Sequence, residues 1–322
     1  MSKYNFSIVI SAFGNKLDIF LENLKTSINK FYPDIQISVY GKNNEKELKQ
    51  IEEIKSRSEI CNISTGSLKI ILWNKGLIDA NTEWVLFLDA DTLLLQPLDY
   101  LFEFCISNNI DFLFSWREKK EIFVNSGVML VRKNESTLNF FSLYKNSVLK
   151  DVLNEENDQQ SFIKLLSKNG TFKSIRNSTY SKKKEFIFNF EEINFGSLPC
   201  EIMNNAYPIK ELNDQTLIQH YKGVLGTIIL KDDKDNRYEK LLKYELFRYS
   251  LKEVRRINYK LNIWKSFSEL DNKNLPIDIY NYYKRKIYKR YFVLFFDLII
   301  KILKKPIKNI IKYFISFLKQ LN

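Results

Sequence analysis

The sequence predicts an α/β sandwich on a largely parallel sheet, followed by a basic helical extension. Three observations lead there. Short β-branched runs alternate with helical stripes, the run 83–89 is apolar almost throughout, and the excess positive charge lies in the last quarter of the chain. Phe6-Ser7-Ile8-Val9-Ile10-Ser11-Ala12-Phe13 is short, β-branched and followed by Gly14-Asn15, the pattern of a buried strand entering a loop. Ile19, Phe20, Leu24 and Ile28 then recur at helical spacing within 17–31. A second strand is expected over Ile35 to Tyr40, ending at Gly41, and a second helix over Ser67 to Leu77. Glu83-Trp84-Val85-Leu86-Phe87-Leu88-Asp89 has the near-continuous apolarity of a central strand covered on both faces. Beyond Asp91, a helix is expected over Leu98 to Cys105, strands over Asp111 to Trp116 and Phe123 to Val131, and helices over Leu138 to Leu149 and Gln159 to Leu166. Lys168 to Ile218 reads as irregular chain wrapping one end of the sheet.

With 45% hydrophobic and 15% aromatic residues over 322 positions, the chain has the material for a sizeable core, which excludes disorder and coiled coil as its main state. The formal charge of +12 is unevenly placed: residues 1–239 hold 30 basic and 32 acidic side chains, residues 240–322 hold 20 and 6. A neutral domain over 1–237 and a basic helical extension over 238–322 are therefore expected. His220 is the single histidine, so a multi-histidine zinc site is impossible, and a Ser-His-Asp or Cys-His enzyme would have to use that one imidazole. Cys61, Cys105 and Cys200 are odd in number and widely spaced, which suits a reducing compartment rather than a disulfide framework. The apolar run at Phe6 is short and lacks a small-residue cleavage site, so it reads as a strand rather than a secretory leader, and a cytoplasmic location is expected.

The sharpest feature is Leu88-Asp89-Ala90-Asp91-Thr92 at the end of the apolar run. On an extended chain, side chains at i and i+2 point the same way, so Asp89 and Asp91 can converge. Two carboxylates at the carboxyl end of a buried strand repel each other unless a proton or cation lies between them. Hard divalent cations take oxygen ligands and commonly combine one or two carboxylates with substrate phosphates. The position is also where ligands bind in open α/β sheets. The competing reading is a solvated loop start, since such triplets occur by chance.

Glu83 to Leu94, then Asn125-Ser126-Gly127-Val128-Met129-Leu130, then Asp158-Gln159-Gln160, then His220-Tyr221-Lys222-Gly223, occur in an order that resembles nucleotide-diphospho-sugar transferases of the GT-A fold. Glycosyltransferase family 8 and its retaining relatives are the nearest match, over roughly residues 5–230. The resemblance implies that Asp89 and Asp91, with Ala90 between them, bind Mn²⁺ or Mg²⁺ on the donor diphosphate and that His220 completes the metal site. It implies that Asn125 hydrogen-bonds sugar or acceptor, that Gly127 allows close backbone approach, and that Asp158 binds sugar hydroxyls. Gln159 falls where the reactive face of the anomeric carbon is expected. Ala12 matches the position lining the nucleotide base, and Lys69 the basic residue on donor sugar or phosphate. For Lys69 a solvated helix face, for Gly127 a bulge and for Asp158 a helix N-cap are the structural alternatives. The family's following Lys-Pro-Trp is absent here, where the spacing has Gly226-Thr227-Ile228; Lys222, beside Gly223, or the basic tail would supply the missing charge.

The resemblance implies a metal-dependent transfer of a sugar from a nucleotide sugar, UDP-linked, with the anomeric configuration retained. In the tail, residues 284–322 hold 11 basic residues and one acid, Asp297. Ile307, Ile310, Ile311, Phe314, Ile315, Leu318 and Leu321 fall on one helical arc of roughly 140°, opposite lysines. Such a helix suits an anionic membrane surface, with a helical cap packed on the core as the alternative, and is a poorer fit to nucleic acid, which would favour arginine. The acceptor expected is a saccharide or membrane glycolipid, such as a lipopolysaccharide or capsule precursor, at the inner face of the membrane. Two other readings are a sugar nucleotidyltransferase, whose Gly-rich loop Ala12-Phe13-Gly14-Asn15 is too short to supply, and a catalytically silent scaffold.

Overall fold

The computed structural model describes residues 3–12, 17–41, 69–117, 124–151, 157–167, 185–231, 236–268 and 276–289, with isolated positions at 49, 53, 292, 293, 295, 296 and 299. The amphipathic arc over 307–321, Cys61 and the loop at Gly14 lie outside these residues. In chain order the principal elements are β1 (Phe6–Ala12), α1 (Asp18–Phe31), β2 (Ile37–Gly41), α2 (Lys69–Asp79), β3 (Trp84–Asp89), β4 (Thr92–Leu94), α3 (Asp99–Ser107), β5 (Phe112–Trp116) and β6 (Val124–Arg132). These lead into α4 (Glu135–Asp151), α5 (Asp158–Ser167), β7 (Phe186–Phe190), β8 (Ile193–Pro199), β9 (Ile218–His220), α6 (Val224–Leu230) and α7 (Leu251–Ser266).

Seven strands form one sheet in the order β2-β1-β3-β6-β5-β8-β7. β2, β1, β3, β5 and β8 share a direction, and β6 and β7 run against them. Because side chains alternate across a strand, the apolar run of β3 feeds two layers. Val85 and Phe87 pack with Trp73 and Leu77 of α2, Phe140 and Phe141 of α4 and Phe162 of α5. Leu86 and Leu88 pack on the other face with Leu24 and Ile28 of α1 and Leu101 and Phe102 of α3. Each fully buried side chain of this size contributes about 1.5–3 kcal/mol. The expected α/β sandwich, with a mostly parallel sheet, is therefore what the chain forms.

Two expectations fail locally. Residues 186–199 are a hairpin on the sheet edge rather than irregular chain. Phe186, Phe188 and Phe190 face inward while Ile187 and Asn189 face out, a two-residue alternation. The hairpin is hard to see because its left-handed turn residue is Glu191 (φ 54°), where glycine or asparagine is the usual signal. The pair Asp89–Asp91 is also not extended: β3 ends at Asp89, residues 90–91 turn, and Thr92 Oγ1 donates to Asp89 O at 2.8 Å.

A third core joins the extension to the sheet domain. Val254, Ile257, Leu261 and Trp264 of α7 pack with Phe20, Leu93, Tyr221, Leu225 and Ile229. α7 starts from a capping box, Ser250 Oγ accepting from Glu253 N while Glu253 bonds back to Ser250 N. At its end, Asn23 Nδ2 of α1 donates to Trp264 O at 3.0 Å. Trp264 is fully buried edge-on to Phe20. Trp264→Ala should cost about 3–5 kcal/mol of stability by chemical denaturation; a loss near zero would mean that α7 is not part of the folded core.

Candidate metal centre and anion pocket

β3 delivers Asp89 to the carboxyl end of the sheet, beside Ser11 of β1 and one residue from buried Ala12. Past the turn at buried Ala90, β4 pairs antiparallel with β9, with Thr92 opposite His220. Tyr221 N donates to Asp91 O at 2.7 Å, which extends that ladder by one bond. A chain separation of 129 residues is thus closed by a three-residue ladder that sets His220 against the acidic turn. His220 Nε2 lies 2.9 Å from Asp91 Oδ1 and 3.8 Å from Asp89 Oδ2. Ligand atoms of the three side chains all lie within 4.8 Å of one another.

The other face of the imidazole is fixed. His220 Nδ1–H donates to Asn204 Oδ1 at 3.0 Å, which turns Nε2 towards the carboxylates. A lone pair and a carboxylate oxygen at this distance repel unless a proton or a cation lies between them. Two carboxylates and an imidazole oriented by an outer hydrogen bond suit Mn²⁺ or Mg²⁺ and leave positions for further oxygen ligands. Burial disfavours the Asp91 carboxylate, but His220, then Lys222 and Lys69, outweigh it and hold its pKa below the usual carboxylate range.

Lys69, at the start of α2, is buried rather than solvated. Its Nζ is 2.6 Å from Asp89 Oδ1, 3.8 Å from Asp158 Oδ2 and over the Trp73 ring, and it donates to Ser126 O at 3.0 Å. Burial would lower its pKa, yet Asp89 and Asp158 raise it, so the ammonium stays charged. One oxygen of Asp89 is thereby neutralised by lysine and the other faces the imidazole. The Ser126 carbonyl is free for Lys69 because the β5–β6 register shifts between Phe114 and Ser115, opposite residues 126–128.

Asp158 is not the N-cap of α5, as one alternative held. Asn157 takes that place, with Asn157 Oδ1 accepting from Gln160 N and Gln160 Oε1 accepting from Asn157 N. Asp158 instead turns inward onto Ser126 Oγ. Burial pushes its pKa up, only partly offset by Lys69. Gln159 Nε2 donates to Ser126 Oγ at 3.3 Å, and its Oε1 accepts from Arg117 at 2.6 Å. Asn125 has both ends of its amide engaged: Nδ2 donates to Cys200 Sγ, while Oδ1 accepts from Gly127 N and Lys222 Nζ. Gly223, at φ 62°, starts α6 with open space around its Cα.

Lys222 and Arg117 bring positive charge to the acidic cluster. Burial, then the charge of Arg117, lowers the Lys222 pKa. Two cations that repel each other beside the acidic cluster favour an anion between them. The sequence assigns no role to Arg117, Ser126 or Asn204. Ser126 sits inside the Asn-Ser-Gly motif, whereas Arg117 and Asn204 carry no spacing signal, being brought in by the ends of β5 and the turn after β8.

Gly127 serves the imidazole directly. A Cβ there would lie 2.6 Å from His220 Cε1, 2.7 Å from Nδ1 and 2.8 Å from Asn204 Nδ2. Gly127→Ala should therefore displace the ring and weaken Mn²⁺ binding about 10-fold or more, the usual cost of disturbing an outer shell. Titration of free Mn²⁺ by electron paramagnetic resonance measures it, and an unchanged affinity would show that the ring does not ligate.

No family model and no curated protein matches the chain. Solved structures similar to it include three glycosyltransferases. One involved in glycosylation of the major capsid of PBCV-1 is 14% identical, with a TM-score of 0.38 and coverage of 69% of this chain and 95% of that one. Galactosyltransferase LgtC, solved with donor and acceptor sugar analogues, is 16% identical at a TM-score of 0.41, covering 68% and 87%. GlyE of Streptococcus pneumoniae TIGR4 is 15% identical at 0.46, over 87% of this chain and 64% of that one.

Proposed function

We propose that the chain is a metal-dependent glycosyltransferase of the GT-A type that moves a hexose from a nucleotide sugar, UDP-linked, to a saccharide acceptor. The observation that carries the proposal is the meeting of Asp89, Asp91 and His220 at the carboxyl end of β3, beside two cations. Two of the four motifs behind the sequence resemblance supply the triad, and the other two, around Asn125 and Asp158, join it through Lys222, Lys69 and Ser126. A divalent cation held by the triad supplies Lewis-acid neutralisation of the charge on a departing diphosphate. Lys222, with Arg117 behind it, replaces the missing lysine of the family pattern as the partner of that phosphate. Ala12, Lys69, Ala90, Gly127 and Gly223 complete the donor side of the site in this reading.

Asp158 orients the sugar and Gln159 faces the anomeric centre, with its amide held by Arg117 and Ser126. The family resemblance implies retention, and because the residue at the nucleophile's place by motif is an amide, Gln159, the transfer runs on the front face, the leaving phosphate taking the acceptor proton. The domain division at 237 and the membrane role of 284–322 belong to the same proposal. Tyr288, Phe292, Val293, Phe295 and Phe296 are all exposed, next to Lys284, Arg285, Lys286 and Lys289. Among the described residues no helix is long and apolar enough to cross a membrane. Exposed aromatics flanked by cations fit the surface of an anionic bilayer, each basic residue contributing about 1 kcal/mol. A glycolipid acceptor, such as a lipopolysaccharide or capsule precursor, is then presented at that surface.

A panel of sugar nucleotides with and without Mn²⁺ tests the proposal. One donor should be hydrolysed in a metal-dependent way, and Asp89→Asn with Asp91→Asn should abolish this. No metal-dependent turnover of any donor contradicts it, and activity surviving the double variant removes the metal role. Gln159→Ala should lower kcat about 100-fold with KM nearly unchanged; a change confined to KM would move Gln159 out of the reaction and into donor binding.

A further inference from the structure

α7 does more than close the third core. Its side chain Lys260 is 1% exposed, and its Nζ donates to Asn205 Oδ1 at 3.4 Å and to Tyr207 O. These partners are neutral, and no carboxylate pairs with Lys260 among the described residues. Burial, then the charge of Arg256, pushes its pKa down to about 7. A lysine in such a place is costly, and a methionine or leucine would fill the same volume without the desolvation penalty. Its value lies in what it holds.

The segment it grips runs beside the imidazole. Asn205 bridges to Gln219 in parallel, with Asn205 N donating to Ile218 O and His220 N donating to Asn205 O at 3.0 Å. Gln219 Nε2 donates to Asn205 O as well. Asn204, one residue back, is the acceptor that fixes the His220 tautomer. One turn before Lys260, Arg256 donates to Ile209 O and pairs with Glu211, clamping the far end of the same segment. On the other flank, Tyr221 OH donates to the main-chain carbonyl of residue 260 at 3.0 Å, a bond independent of the lysine side chain. The residues on both sides of the imidazole are thus tied to one position of α7.

We infer that Lys260 is a positioning residue for His220, acting through the Asn204–Asn205 segment, so that the helix following the sheet sets the geometry of the candidate metal-ligating imidazole. The inference rests on the metal reading only for its purpose; the geometric claim stands without a metal. Because His220 is the chain's single histidine, ring nitrogen spectra of the full chain labelled with ¹⁵N-histidine report on it alone.

In metal-free protein, wild type should give one set of ring signals with a protected Nδ1 proton. Lys260→Met should split or shift those signals and expose that proton, Lys260→Arg should restore them in part, and Leu261→Ala should lower stability while leaving them in place. Mn²⁺ affinity should fall about 10-fold in Lys260→Met and stay within about 2-fold in Leu261→Ala. A Lys260→Met ring spectrum superposable on wild type overturns the inference. So does an equal disturbance in Leu261→Ala, which would make the effect one of general stability. Wild-type ring signals indifferent to Mn²⁺ would contradict the metal reading instead, and the metal-free spectra would still decide the role of Lys260.

Discussion

Two carboxylates and an imidazole nitrogen held within a few ångströms at the end of a buried strand are the constraint on which the surrounding structure depends. Left alone, Asp89 and Asp91 would separate into solvent. They are kept together by the β4–β9 ladder, which carries His220 to Asp91, and by the ammonium of Lys69, which neutralises one oxygen of Asp89. The remaining charge is balanced by Lys222 nearby and by a proton or a cation between the side chains. Neighbouring residues follow from this need. Gly127 has no side chain because the imidazole and Asn204 occupy the space, and β6 breaks register nearby so that the Ser126 carbonyl and hydroxyl reach Lys69 and Asp158.

The same constraint explains which parts were legible in the sequence. The apolar run of β3 names its own environment, since a strand with no polar alternation has to be covered on both faces, and the acidic pair follows it directly. His220 was legible by resemblance, not by pattern: nothing in its local sequence says that Thr92 will lie opposite it. Asn204, Arg117 and Lys260 were illegible for the same reason. Each acts through a contact made across more than ten residues of sequence separation, and a lone asparagine, arginine or lysine has no periodicity to betray it. Asp158 shows how two local rules compete: it stands where a helix N-cap is expected, but Asn157 caps the helix and frees the carboxylate for the site. The hairpin 186–199 was obscured by a glutamate in the left-handed turn position.

The charge division along the chain acquires a different meaning with the structure in view. The neutral portion surrounds a site of mixed sign, in which Asp89, Asp91 and Asp158 lie among Lys69, Lys222 and Arg117. The basic portion has two parts. Its first, α7, is tied into the core by Trp264, Tyr221 and Phe20 and uses a lysine to hold the segment beside His220. The second, from Lys284 on, exposes aromatic side chains among its cations. Burial and exposure thus separate two roles that net charge alone merges.

The most direct test of the central claim is the response of the His220 ring nitrogens to Mn²⁺ in protein labelled with ¹⁵N-histidine. Direct ligation predicts that substoichiometric Mn²⁺ broadens the Nε2 signal beyond detection, more strongly than Nδ1, and that Asp91→Asn abolishes the effect at the same metal concentration. Ring signals that persist unchanged through a stoichiometric titration would contradict it, because an imidazole that Mn²⁺ does not reach cannot complete the Asp89–Asp91 site.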